Sequence, residues 1–363
     1  MGTRLLPATA KRTGAKLGNR SADPQSQGPT QPADPAPAES PEETIGRALL
    51  AQTPSLAPLV KRVALAASYD VTVLLTGETG TGKTYLARLV HDCSARSGQR
   101  FLTVPCGALS ANLVDSELFG HVKGAFTGAA DTRQGKFAAA GDGTILLDEI
   151  DALGLEQQAK LLRVVETGEY EMVGSNDTHL CRARIIVASN WDIEEAVECG
   201  KFRQDLYYRL NVFAFHLPPL RERVEDIAPL VGGQVFRFSE KFGKELCAIS
   251  PDVLVALQCH PWPGNIRQLE NVVQQAVLVS TGPELLPAHL PPLVREYAAP
   301  HSQPAGAAPE SLRRSREGNE RLLIQQVLAK YGHSRARAAQ ALGISRVTLY
   351  KKMKKYGLMG VSE

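Results

Sequence analysis

Gly77-Glu78-Thr79-Gly80-Thr81-Gly82-Lys83-Thr84 is a run of glycines and hydroxyls ending in one lysine, the chemistry needed to wrap phosphate oxygens. It fits G-x-x-x-x-G-K-[ST], follows the apolar run Val71–Leu75 and precedes a helical pattern from Tyr85. The spacing predicts backbone N–H groups curling round a polyphosphate at a helix N-terminus, with Lys83 on the β/γ-phosphates and Thr84 on Mg²⁺. A second run, Thr144 to Glu149, is an apolar strand ending in paired carboxylates. Asp148 is expected in the Mg²⁺ shell, and Glu149 is expected to orient and deprotonate an attacking water. Asn190, after the strand Ile185–Ala188, is placed to position that water or sense the γ-phosphate. Arg203 and Arg209, six positions apart, are candidates for a cation offered to a neighbouring subunit's phosphate, and Arg267 opens a helix aimed at the nucleotide.

Between the two runs lies Gly124-Ala-Phe-Thr-Gly-Ala129. A glycine-flanked Phe126-Thr127 pair is poor helix or strand material. An aromatic ring on such a tip reads as a contact with another molecule.

The elements that position these residues follow from patterning. Short β-branched or leucine runs (Val71–Leu75, Phe101–Val104, Thr144–Leu147, Ala183–Val187) alternate with amphipathic stretches from about 45 to 221. That alternation predicts an α/β fold, a parallel sheet with flanking helices. Residues 222–282 read as a small helical subdomain without a strand, and 283–318 as a Pro/Ala/Ser-rich linker. Residues 1–44, with seven prolines and few large apolar groups, read as disordered.

The bulk composition narrows the class. The chain has 363 residues, 43% hydrophobic and 22% charged, with formal net charge +3. That length allows two or three domains, and no apolar run approaches the roughly 20 residues that span a bilayer. Six scattered cysteines show no zinc-ligand spacing, which predicts reduced, mostly buried thiols in a cytoplasmic protein.

The C-terminal part, 319–359, reads as an all-α DNA-binding domain. Leu322, Leu323, Val327 and Leu328 stripe a first helix, Arg337 to Leu342 form a second, and Gly343-Ile-Ser345 turns into a third, Arg346–Lys355. Leu342, Ile344, Leu349 and Met353 are its expected core. Nine basic residues against the single acid Glu320 favour phosphate contacts. Arg346, Thr348 and Lys351 are the candidates for base edges, with Lys352 and Arg337 on phosphates.

Together these segments resemble the sigma-54-dependent transcriptional activators, or bacterial enhancer-binding proteins. The resemblance rests on Gly77–Thr84, Ser116-Glu-Leu-Phe-Gly-His121, Gly124–Ala129, Gly143–Ile150, Phe202–Leu210, Leu217–Arg223 and Trp262–Asn271, and covers 45 to 285 almost continuously. The tail is similar to the helix-turn-helix of the factor for inversion stimulation. The resemblance implies an AAA+ P-loop ATPase that assembles as a hexamer, binds upstream double-stranded DNA and uses ATP and Mg²⁺. It implies that Phe126 and Thr127 press on sigma-54 of stalled RNA polymerase holoenzyme, opening the closed promoter complex. Arg203 and Arg209 would be trans-acting fingers and Arg267 a second sensor. The alternative is a nucleotide-gated DNA-binding regulator that does not remodel sigma-54.

Four positions depart from the family pattern. Pro105 stands where an Asn amide commonly holds the catalytic glutamate, so looser restraint of Glu149 is expected. Ala138 and Met172 replace a Glu and an Arg; if those pair as ions, losing both strands no charge. Thr84 restores a Mg²⁺-ligating hydroxyl where the family often has Glu. With no receiver or ligand-binding domain before residue 45, control is expected from a trans-acting regulatory protein or from expression level.

Overall fold

The computed structural model describes residues 40–108 and 111–298, together with Thr3, Arg4, Leu328, Leu349, Lys352 and Met353. Two compact units divide at Ala299/Pro300.

In the first unit, helices α1 (Pro41–Leu50) and α2 (Val60–Ser68) lead into a five-stranded sheet. Its strands are β1 (Val73–Thr76), β2 (Phe101–Pro105), β3 (Thr144–Asp148), β4 (Arg184–Ser189) and β5 (Phe213–His216). Their order is β5-β1-β4-β3-β2, and every pairing is parallel, as the alternating pattern predicts. Successive strand residues face opposite sides. Leu74, Ile145, Leu147, Ile185 and Val187 therefore pack into one core. Val73, Leu75, Leu146, Ile186, Ala188 and Phe215 pack into the other, against α1, α2 and α3 (Lys83–Asp92). Burial on both faces requires such uninterrupted apolar strands. Pro105 ends β2 on the sheet edge, where its missing N–H leaves no ladder bond unmade.

Between β2 and β3 run α4 (Ala111–Phe119), a hairpin pairing Gly120–His121 with Arg133–Gln134, and α5 (Lys136–Ala140). After β3 come α6 (Leu155–Thr167), a second hairpin pairing Glu169–Glu171 with Thr178–Leu180, then α7 (Ile193–Glu198) and α8 (Gln204–Leu210).

The lid comprises α9 (Ile227–Phe242), α10 (Pro251–Cys259), α11 (Asn265–Val279) and α12 (Pro292–Arg295) around its own core. It differs from the sequence reading in two ways. Ala248–Ile249 pairs in parallel with Glu284–Leu285, a two-residue strand too short to show periodicity. The packed lid also continues past 282, because Leu285, Leu290 and Val294 bury in its core. At the other end α1 starts at Pro41, inside the segment read as disordered. Ser40 and Glu43 form a reciprocal capping box there. Thr3–Arg4 pairs antiparallel with Ala248–Ile249.

Trp262 anchors the lid: it is fully buried, and its indole N–H donates to the Leu257 carbonyl at 2.6 Å. Trp262→Ala is expected to destabilise the lid by about 3–5 kcal/mol, since it leaves a cavity and an orphaned carbonyl. Urea unfolding followed by far-UV circular dichroism measures this.

Of the six cysteines, all free, only Cys106 is buried; Cys199, Cys247 and Cys259 are exposed. The reading of mostly buried thiols therefore fails. Burial pushes the Cys106 thiol up to about 12, which keeps it an inert hydrophobe in the sheet's core. Among the described residues no helix is long and apolar enough to cross a membrane.

In the second unit Leu328, Leu349 and Met353 are buried, as the apolar pattern predicts, while Lys352 is half-buried. Arg337, Arg346, Thr348 and Lys351 lie outside the described residues.

Candidate functional site

The phosphate loop leaves the C-terminal end of β1 and runs directly into α3, so a ligand there meets the positive end of a helix. Gly80 takes φ +81°, and a Cβ there would strike the Gly264 carbonyl of the lid. Lys83 is buried, and its ammonium donates to Gly77 O (2.7 Å), Glu78 O (2.9 Å) and Asn190 Oδ1 (2.8 Å). Burial pulls its pKa below the usual lysine value, against the opposing fields of Asp148, Asp151 and Glu149. The Thr84 hydroxyl donates to Asp148 Oδ2 at 3.2 Å. A cavity of about 250 Å³ joins Thr79, Lys83, Thr84, Asp148, Glu149, Asn190 and Arg267.

A hydroxyl beside one carboxylate fits Mg²⁺, which takes few protein ligands and keeps water and phosphate oxygens. Among the described residues no cluster of three His, Cys, Asp or Glu side chains forms an all-protein metal cage. Glu149 follows at φ +57°, ψ +49°, a left-handed conformation uncommon for a non-glycine residue.

Several residues that hold the site escaped the sequence reading. Asp151 accepts from the Ser189 hydroxyl and the Asn190 N–H, both at 2.9 Å, and so fixes the residue that meets Lys83. Arg221 grips Glu78 through two bonds of 2.9 and 2.7 Å. These bonds hold the Glu78 carboxyl below its ordinary pKa, with Asn265 contributing less. Asn265, buried at the start of α11, donates to Glu78 Oε2 and the Thr79 carbonyl and accepts from Leu220 N–H. Ile266 N–H donates to the Gly80 carbonyl at 2.9 Å. The buried Arg223 donates to the Thr81 carbonyl at 2.6 Å and faces the buried Asp226, which accepts from Ser55. Lid, loop and entering chain are thus bonded to one another around the phosphate site. A second cavity, about 200 Å³, lies under Leu49, Leu56, Tyr85, Leu217, Leu230 and Ile266, an apolar slot that suits a nucleobase. Its walls come from α1, the phosphate loop and the lid, so no local motif announces it.

Glu78 and Thr81 serve the loop's own structure: Glu78 through Arg221 and Asn265, and Thr81 through a hydroxyl bond to the Glu78 carbonyl. Arg203 and Arg209 do not line the phosphate cavity of their own chain. Arg203 pairs with Asp205 and Arg209 with Glu166, both at the surface.

Phe126 and Thr127 occupy the exposed tip of the first hairpin, and Phe126 is 37% exposed. Gly124 and Gly128 adopt φ +83° and +103° on either side, and Gly124 N–H donates to Ala129 O across the turn. The Phe126 ring lies edge-on to His121 at 5.1 Å. His121 is itself buried and bonded to the Ser116 hydroxyl at 2.7 Å. The second hairpin braces this one through Val122 N–H to Val173 O and Val173 N–H to Gly120 O. Met172 is half-buried beside Phe119 and Tyr170, and Ala138 is exposed on α5.

Three family profiles match in succession: the sigma-54 interaction domain over residues 49–216, the AAA+ ATPase lid domain over 221–307, and the Fis-family bacterial regulatory protein over 315–356. The regulatory protein AtoC of Escherichia coli K12 is 41% identical over 312 residues, covering 85% of this chain and 68% of AtoC. The chain belongs to the sigma-54-dependent transcriptional activators. The E. coli K12 regulatory protein ZraR is 40% identical, over 87% of the activator and 70% of ZraR. The formate hydrogenlyase transcriptional activator of Salmonella typhimurium LT2 is 42% identical, over 87% and 44%. The chain thus spans about two thirds of AtoC and ZraR and less than half of the formate hydrogenlyase activator. Among solved structures, NtrX of Brucella abortus in complex with ADP aligns at TM-score 0.62 and 28% identity, covering 84% of the activator and 69% of NtrX. Yeast Hsp104 shares the fold at TM-score 0.51 and 18% identity. The activator therefore carries a nucleotide-binding AAA+ core, its lid and a Fis-type helix-turn-helix.

Proposed function

We propose that this chain hydrolyses ATP to remodel the closed complex of sigma-54 RNA polymerase into an open one while held on upstream DNA by its C-terminal unit. One observation carries this reading. The exposed Phe126-Thr127 tip is inserted between β2 and β3, neighbouring strands whose ends meet where Pro105 pairs with Asp148. A change at the carboxylates therefore has a short route to the tip, across the β2–β3 pairing and then along the chain that leaves β2.

Lys83 orients the phosphates, Asn190 and Asp151 fix the lysine, and Glu149 takes the proton from the attacking water. Thr84 and Asp148 would hold Mg²⁺, which when bound would supply positive charge against the negative charge developing on the phosphates. Arg267 supplies a cation from the lid side. Arg203 and Arg209, surface residues in their own chain, serve a neighbour's phosphates in a ring, proposed to be a hexamer. NtrX was solved with ATP and with ADP, which supports adenine nucleotides as the ligand.

The trans arrangement has a direct test. Arg209→Ala protein and Glu149→Gln protein, each expected to be nearly inactive alone, should regain ATP turnover when mixed, because a Glu149→Gln subunit offers Arg209 to the intact Glu149 site of a neighbouring Arg209→Ala subunit. A mixture no more active than its two components would contradict the trans arrangement.

A further inference from the structure

Glu149 is the one residue of the site whose carboxylate has no hydrogen bond or ion pair from its side chain among the described residues. Its backbone N–H is used, donating to Asp148 Oδ1 at 3.0 Å. What locates the carboxylate is space. It lies against the backbone of Gly107, in the turn Cys106–Ala108 that follows β2. A Cβ built on Gly107 would overlap Glu149 Oε2 and stand 3.3 Å from Cδ and 3.6 Å from Cβ. Any other residue at 107 would evict the carboxylate from this position.

The neighbouring residues leave the same place undefended by polar groups. Pro105 has no N–H and no polar side chain, and Cys106 is buried with its thiol turned to the Val104 carbonyl at 3.8 Å. The seat is also set back from Lys83. Lys83, the phosphate-facing cation, feels Asp148 and Asp151 more strongly than Glu149, although Glu149 is the proposed base. A carboxylate that must reach a water on the γ-phosphate therefore has to leave Gly107 first.

We propose that Gly107 is a positioning residue: its missing side chain opens a seat in which the Glu149 carboxylate rests drawn back against the cavity wall. The seat acts by shape, so it holds the acid weakly, and turnover is set partly by how often the acid leaves it. This rests on the reading of Glu149 as the general base.

The test is Gly107→Ala in the full chain, with steady-state ATP hydrolysis and binding of a fluorescent ATP analogue measured side by side. The methyl meets only the far end of a flexible side chain, so the backbone has no need to move. The expected result is a basal kcat several-fold above that of the unsubstituted chain at unchanged KM and unchanged analogue affinity. Adding Glu149→Gln to the variant should abolish the gain, which a general loosening of the fold would not require. An unchanged kcat overturns the proposal, and so does a fall in kcat at constant KM, which would make the seat the working position. Should Gly107→Ala not fold, a crystal structure of the unsubstituted chain free of nucleotide decides instead: a Glu149 carboxylate away from Gly107 refutes the seat. If the unsubstituted chain itself hydrolyses no ATP, the failure belongs to the proposed function and not to Gly107.

Discussion

Glutamine in place of Glu149 is expected to lower kcat for ATP hydrolysis by about 10²–10⁴-fold, the range lost when a positioned base is removed. The substitution keeps size and shape and removes only the proton acceptor. The groups proposed to hold nucleotide are elsewhere: Lys83, Thr84, Asp148 and the Asn265-bonded loop. ATP affinity should therefore be retained, so that kcat falls while KM stays nearly constant, the signature of an interaction made in the transition state. Steady-state kinetics with an equilibrium binding measurement would settle it. A variant with near-normal kcat would move the base to another residue. The left-handed backbone at Glu149 remains usable by glutamine, so loss of folding is not an expected confounder.

The second large effect is expected 22 residues upstream of that acid. Thr127→Ala should reduce open-complex formation at a sigma-54 promoter by about 30-fold or more, the loss of a hot-spot contact worth roughly 2 kcal/mol. Thr127 is exposed at the hairpin tip. The bonds that shape the tip run between other residues: Gly124 with Ala129, Ala129 with Phe126, and Ala125 with Val122. ATP turnover and DNA binding should accordingly be unchanged. Permanganate reactivity at the start site, with turnover and mobility-shift controls, separates the three activities. Normal opening by this variant would favour a DNA-binding regulator that does not use its tip on sigma-54.

The parts of the site legible in the sequence are those that chemistry forces to be contiguous. Eight residues from Gly77 to Thr84 have to be neighbours in the chain because one loop must surround a phosphate, and the strand-end pair Asp148-Glu149 follows from the apolar run before it. Strand order was not legible, yet the alternating pattern was enough for a parallel sheet. What stayed hidden is held by partners distant in the chain. Arg221 reaches Glu78 across 143 positions, and Asn265 reaches Thr79 across 186. A single asparagine at a helix start reads as a cap until the opposing loop is known. Gly107 was hidden for the opposite reason: its contribution is an absent side chain, visible only once Glu149 is placed against it. The lid was cut short at 282 because Pro, Ala and charge after that point resemble a linker, whereas Leu285, Leu290 and Val294 are spaced to fill a core. The cysteines misled because a free thiol is usually buried, and three of these six face solvent.

The account depends on hydrolysis at the phosphate cavity moving the Phe126-Thr127 tip. The direct measurement is strand opening by the purified chain at a promoter carrying −24/−12 elements and sigma-54 polymerase, with ATP or a non-hydrolysable analogue. Thymines at the start site should become permanganate-reactive with ATP and stay protected with the analogue. Equal opening with both nucleotides, or protection with both while ATP is being consumed, would contradict the account.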